Sequence, residues 1–303
     1  MNTLFTSLLL LAFGSALRSE ETRDLVLVAG QSNAVGFDAY ASELPADPND
    51  KAVLFWWRCG DPPPDEHDSF GARKWTTLQP QPLGNPIPKV SPSGGTATGL
   101  KRQYGNFGKP EGGFGPEMGF SREWRKQVKT PLAIIKVAFS GTSLEADWDP
   151  GDPGEGGACY RALIEESKAA VAAAKERGIR LQPRALLWVQ GESDANAAAA
   201  PLYENALGEM LAQLRHDLEA PELMALLGVN TRFGNGKNPH VPAIVAAQKA
   251  LDEQDPLCLY VDTAGAETLE PSHTHFTASG TLEVGRRFAR ALAGAEAANS
   301  GKP

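Results

Sequence analysis

The chain has 303 residues, with 29 Lys and Arg against 37 Asp and Glu, for a formal charge of −8. That length is ample for a substantial hydrophobic core. The acidic balance and the lack of any basic run remove the electrostatic reason to bind nucleic acid or an anionic membrane surface.

The first element is an apolar stretch from Leu4 to Phe13, followed by Gly14, Ser15 and Ala16. It is too short to span a bilayer, but its length and the small residues after it suit a secretory signal cleaved near Ala16. No Lys or Arg precedes the apolar run. The expectation is a signal peptide over 1–16 and a secreted or periplasmic protein. Nothing later is apolar for long enough to cross a membrane.

A strand is predicted over Leu25–Ala29, ending at Gly30 in D-L-V-L-V-A-G-Q-S-N-A. Ser32 follows with amide side chains on either side, Gln31 and Asn33. A strand that stops at glycine and turns into a helix presents the turn at the rim of a sheet, where the first helical amides lack partners. A serine placed there either caps the helix or acts as a nucleophile whose own N–H helps hold an oxyanion. A second strand is predicted over Ala52–Trp57. Residues 58–114, rich in Pro, Gly, Ser and Asn, read as a long loop insertion near the site. Trp56, Trp57, Trp75 and Phe114 are candidates to line a groove beneath it.

Further strands are predicted over Leu132–Phe139, Ala185–Gln190, Leu223–Val229 and Leu257–Val261. Helices are predicted around Ala170–Lys175, along the Leu207, Leu211, Leu214 and Leu218 stripe, and from about Ser279 with Leu282, Phe288 and Leu292 on one face. Strands alternating with helices imply an α/β fold, a three-layer α/β/α domain around a parallel sheet, because parallel pairing needs crossovers that cover both faces. One domain is expected over 17–294, with a flexible tail over 295–303. Of the three cysteines, Cys258 reads as a core residue, whereas Cys59 and Cys159 sit in loop-like surroundings compatible with a bridge.

Three more segments carry chemistry. In V-A-F-S-G-T-S-L a strand ends and Gly141 follows, where a backbone amide can approach an oxyanion; Trp148, a few residues on, is a candidate for stacking on a sugar. In W-V-Q-G-E-S-D-A, Gln190 can donate to the oxyanion and Glu192 can orient and charge-stabilise a histidine. In P-S-H-T-H-F-T-A-S-G, just before the last helix, His273 or His275 can serve as the base. Two other readings remain: a metal-dependent hydrolase using His273 and His275, and a carbohydrate-binding protein that keeps the cleft without turnover.

The blocks V-A-G-Q-S-N-A-V-G, F-G-P-E-M-G-F, A-F-S-G-T-S-L, W-V-Q-G-E-S-D-A and T-H-F-T-A-S-G resemble, in the same order, those of the sialate O-acetylesterase-like, carbohydrate esterase family 6 branch of the SGNH hydrolases. The resemblance implies a flavodoxin-like α/β/α fold and cofactor- and metal-independent removal of O-acetyl groups from carbohydrates such as acetylated xylan or sialic acid. It implies Ser32 as nucleophile and His275 as base, with the Ser32 and Gly141 amides and the Gln190 side chain as oxyanion hole. Gln31 and Asn33 are further candidates to meet substrate. The chain departs from the family pattern at Ser272, where D-x-x-H would place an Asp. The acid is therefore expected from Glu192, with Glu270 and Asp262 as runners-up.

Overall fold

The computed structural model describes residues 20–84, 107–151, 154 and 156–300. The expected signal peptide lies outside them. Six α-helices and eight strands are described. The strands are β1 (Glu21–Gly30), β2 (Leu54–Gly60), β3 (Ser69–Phe70), β4 (Thr76–Thr77), β5 (Leu132–Phe139), β6 (Ile179–Val189), β7 (Met224–Gly228) and β8 (Cys258–Tyr260). The helices are α1 (Ser32–Val35), α2 (Glu117–Gln127), α3 (Ala158–Glu176), α4 (Tyr203–Asp217), α5 (Val241–Gln254) and α6 (Ala278–Ser300).

One sheet runs in the order β3-β2-β5-β1-β6-β7-β8, with β4 also on β2. Every neighbour from β2 to β8 pairs in parallel, and only the short β3 and β4 are antiparallel. Alternate residues of β1 feed two cores. Leu25, Leu27 and Ala29 join the core that α3, α4 and α5 cover with Leu163, Leu211 and Ile244. Val26 and Val28 join the core that α2 and α6 cover with Met118, Phe120, Leu282 and Phe288. This is the expected α/β/α sandwich, with the parallel strands buried on both faces.

Register is what builds the site. Gly30 lies opposite Ala138 of β5 and Val189 of β6. The three strands therefore end together, and Ser32, Gly141 and the Gln190–Glu192 segment emerge along one carboxyl edge, where open α/β sheets bind ligands. Gly30 is required at this crowded point: its φ is 133°, and a Cβ there would stand 2.2 Å from the Val189 carbonyl oxygen.

Four expectations are corrected. Residues 58–60 complete β2, and residues 69–70 and 76–77 form the short β3 and β4, so the expected 58–114 loop carries a small piece of sheet edge, while its residues 85–106 lie outside the described ones. Trp56, Trp57 and Phe114 are core residues rather than groove lining, and the half-buried Trp75 packs edge-on against Trp56 and donates its indole N–H to the Ala170 carbonyl. The three cysteines are buried free thiols, on β2, α3 and β8, with no Cys59–Cys159 bridge. Residues 295–300 of the expected tail continue α6, and residues 301–303 lie outside the described ones.

Candidate active site

Ser32 opens α1, a single helical turn whose carbonyls are claimed at once: Gln31 O accepts from Ala34 and Val35 N–H, and Ser32 O from Gly36 and Phe37 N–H. The turn is held from below by Lys136 of β5, whose ammonium donates to Val35 O at 2.7 Å, Gln81 Oε1 at 2.5 Å and Glu117 Oε1 at 3.0 Å. Three acceptors match the three donors of a lysine ammonium, as its burial requires. The F-G-P-E segment thus holds the serine turn in place.

The Asn33 side chain joins this turn to the histidine loop. Its amide donates to Glu192 Oε1 at 2.7 Å and Thr274 O at 3.2 Å, and its oxygen accepts the Phe276 N–H at 3.0 Å. Thr274 and Phe276 flank His275, so the imidazole is brought to the turn that carries Ser32. The His275 ring lies 4.6 Å, centroid to centroid, from Phe37. The two ends of the chain meet at one rim.

The carboxylate that meets the histidine is Asp38. Its Oδ2 lies 2.6 Å from His275 Nδ1, and its Oδ1 accepts the Tyr40 hydroxyl at 2.8 Å. Burial raises the Asp38 carboxyl, but the hydrogen bonds from His275 and Tyr40 outweigh it and hold it below its usual range. With Nδ1–H donated to an ionised carboxylate, Nε2 is left as the basic nitrogen. Glu192, the acid expected from sequence, stands elsewhere: its Oε1 accepts from Asn33 and from the Asn230 N–H at 3.2 Å, and burial pushes its carboxyl up. It braces the Asn33 and Asn230 amides, and Asn230 in turn donates to the carbonyls of His273 and Thr274. Glu270 and Asp262 are exposed. Asp38 was missed because nothing local marks it; its one signal is that it follows Ser32 closely, in the loop that leaves the same turn.

Gly141 is exposed at φ 69°, with nothing within 4 Å of where a Cβ would stand, so its surroundings leave room for a ligand. Gln190 does not face that space. Both hydrogens of its amide are committed, to the Thr142 carbonyl at 3.0 Å and to Asp194, and its oxygen accepts the Tyr203 hydroxyl at 2.9 Å. The expected oxyanion donor is instead a buttress, fixing Thr142 and hence the neighbouring Gly141 amide. Asp194 completes the brace by accepting the Leu144 N–H at 3.1 Å; burial pushes its carboxyl up to about 6.

The profile of one family, described as carbohydrate esterase, sialic acid-specific acetylesterase, matches residues 22–294. The chain belongs to that family. As a member of this carbohydrate esterase family it is a carbohydrate O-acetylesterase. Solved structures agree on the fold. A protein from Arabidopsis thaliana superposes with a TM-score of 0.59 at 18% identity, covering 89% of this chain and 97% of that one. NanS gives 0.56 at 15% identity, covering 90% and 97%. A carbohydrate acetylesterase from Xanthomonas citri gives 0.52 at 15% identity, covering 88% and 55%. Among curated proteins none matches.

The remaining candidates in this carbohydrate esterase are structural in their contacts. Gln31 accepts the Ser193 N–H at 3.1 Å and ties the serine turn to the segment after β6. Asn33 is the bridge described above. Trp148, the expected sugar platform, is fully buried in a single π-helical turn (Leu144–Trp148), packed edge-on against Trp188 and donating to Thr142 Oγ1 at 2.9 Å. It has no face to offer a sugar. His273 Nε2 receives the Arg232 guanidinium at 3.1 Å, while its Nδ1 pairs with Thr268 Oγ1 at 2.8 Å. His273 thus has both ring nitrogens engaged by side chains of its own surroundings. Among the described residues no cluster of three His, Cys, Asp or Glu is placed to hold a metal, and no helix is long and apolar enough to cross a membrane.

Proposed function

We propose that the protein removes O-acetyl groups from glycans through an acetyl-enzyme on Ser32, with His275 as base and Asp38 as its carboxylate partner. The observation that carries this reading is the junction at the sheet edge. Asn33 binds both neighbours of His275, and Asp38 holds Nδ1 at 2.6 Å.

Neutral His275 takes the Ser32 proton at Nε2 as Oγ attacks the acetyl carbonyl. Asp38 keeps the tautomer and stabilises the imidazolium that forms. The developing oxyanion is met by the Ser32 and Gly141 amides rather than by Gln190. The imidazolium then gives its proton to the departing sugar oxygen, and a water molecule, activated at the same nitrogen, releases acetate and restores the serine. The substrate class is an acetylated carbohydrate, with acetylated xylan and O-acetyl sialic acid the two to test first.

Export through the 1–16 leader belongs to the same proposal, since large acetylated glycans lie outside the cytoplasm. A secreted product beginning just after Ala16 supports it, and a protein retained with an intact Met1 leader contradicts it. Acetate release from a panel of acetylated glycans tests the activity. Release by the wild type and none by Ser32→Ala, with both folded, is the expected result. Equal release by the two proteins contradicts it.

A further inference from the structure

A carboxylate that orients a histidine must itself be fixed, and Asp38 stands on a loop, not on a strand or helix. Both of its oxygens nevertheless have partners: Oδ2 faces His275 and Oδ1 receives the Tyr40 hydroxyl. Tyr40 is in turn placed by a strap from further along the chain. Gly113 forms bridges with both Tyr40 and Gln81, Phe114 N–H donates to Ala39 O at 3.0 Å, and Gly108 N–H donates to Phe37 O at 2.8 Å. The strap lies so close that a Cβ on Gly108 would stand 2.7 Å from Asp38 Oδ1 and 3.2 Å from the Tyr40 hydroxyl. The next residue, Lys109, sets its ammonium 3.8 Å from the centroid of the Tyr40 ring.

Resting on the reading of Asp38 and His275 as a catalytic pair, we infer that Tyr40 is a positioning residue for that pair and that the 107–113 strap is part of the apparatus. The hydroxyl pins the free oxygen of Asp38, which sets the plane of the carboxylate and therefore the direction in which the imidazole points. Lys109 and Gly108 hold the phenol in place, the first by cation–π attraction and the second by leaving room for the backbone. Burial and the Asp38 hydrogen bond push the phenol up to about 12, so it stays protonated and donates throughout the working range. The charged groups facing this assembly are Lys109 from the strap, Glu43 and Glu111 beyond Tyr40, and Glu192 across His275.

Removing the hydroxyl leaves Asp38 with one fewer donor. Its charge is then shared with fewer partners and attracts the imidazolium more strongly, so the acidic limb of the rate profile moves to higher pH. At the same time the carboxylate plane is released, and fewer encounters find the imidazole aligned.

The experiment is the pH profile of kcat and KM on p-nitrophenyl acetate for the wild type, Tyr40→Phe and Lys109→Met. Tyr40→Phe is expected to lower kcat by about ten-fold with KM unchanged, and to move the acidic limb upward. Lys109→Met, at an exposed position, is expected to move the limb in the same direction by less, and guards against a folding defect in the first variant. An unchanged kcat and limb in Tyr40→Phe overturns the inference, as does a kcat loss without a limb shift in both variants. A rise in KM alone overturns it too, because it makes Tyr40 a substrate contact. Failure of the catalytic pair itself has a different signature: Asp38→Asn and His275→Asn would then both retain activity.

Discussion

Replacing Asp38 by Asn separates the two carboxylates that compete for the role of acid. The amide has one acceptor oxygen where the carboxylate had two, and both are in use, by His275 at 2.6 Å and Tyr40 at 2.8 Å. If the amide nitrogen faces His275, the ring must present Nδ1 as an acceptor, its proton moves to Nε2, and the base is lost. The corresponding tautomer error in a serine protease costs about 10⁴ in kcat. If the nitrogen faces Tyr40, the phenol turns to accept, the tautomer survives, and only the charge is lost. Exchanging a charged for a neutral hydrogen bond is worth roughly 1–2 kcal/mol, or about ten-fold or more. The expected loss therefore runs from about ten-fold to about 10⁴. Glu192→Gln keeps an oxygen for Asn33 and Asn230 and should cost less than about ten-fold. Initial rates on p-nitrophenyl acetate, normalised to the folded fraction by near-ultraviolet circular dichroism, decide the matter. A near-normal Asp38→Asn beside a collapsed Glu192→Gln would refute the assignment of the acid to Asp38.

Three further outcomes follow from the contacts. Trp148→Ala should lower unfolding stability in urea by about 3–5 kcal/mol while leaving KM for acetylated glycans unchanged in the folded protein; a raised KM without lost stability would restore the sugar-platform role. Lys136→Met strands the buried Glu117 carboxylate and the Val35 carbonyl, and should cost about 3–5 kcal/mol; a loss below about 1 kcal/mol in the same urea titration would show that the turn does not depend on it. The Asp38 carboxyl is held lower in the folded chain than in the unfolded one, so it adds stability above the unfolded value and loses it as pH falls through the folded one. The stability advantage of the wild type over Asp38→Asn should shrink as pH falls below about 4, where the carboxylate takes up its proton. An advantage that stays undiminished down to about pH 2 contradicts the sign.

The layered architecture was legible because the strands are apolar runs bounded by glycine or polar residues, and a parallel sheet needs both faces buried. Leu132–Phe139 coincides with β5, and Leu25–Ala29 lies inside β1. Ser32, Gly141 and the His275 loop were legible for a related reason, since each follows or faces a strand end and register aligns those ends. What sequence could not supply was direction. Gln190 has the right chemistry at the right strand end, yet its amide turns inward to Thr142 and Asp194. Trp148 sits beside the site in the chain, and one π-helical turn swings it into the core. Asp38 lies 237 positions from His275, and the pairing exists only because the Asn33 side chain closes the two ends onto each other. The short β3 and β4 have no sustained alternation to read, because two residues against β2 show no period.

The covalent intermediate offers the most direct test. Quenching the enzyme in acid during turnover of an acetyl ester, digesting it and weighing the peptides should reveal one added acetyl group on the peptide that contains Ser32, and none in Ser32→Ala. Turnover with no acetylated peptide, or with the acetyl group on another residue, would contradict the serine mechanism.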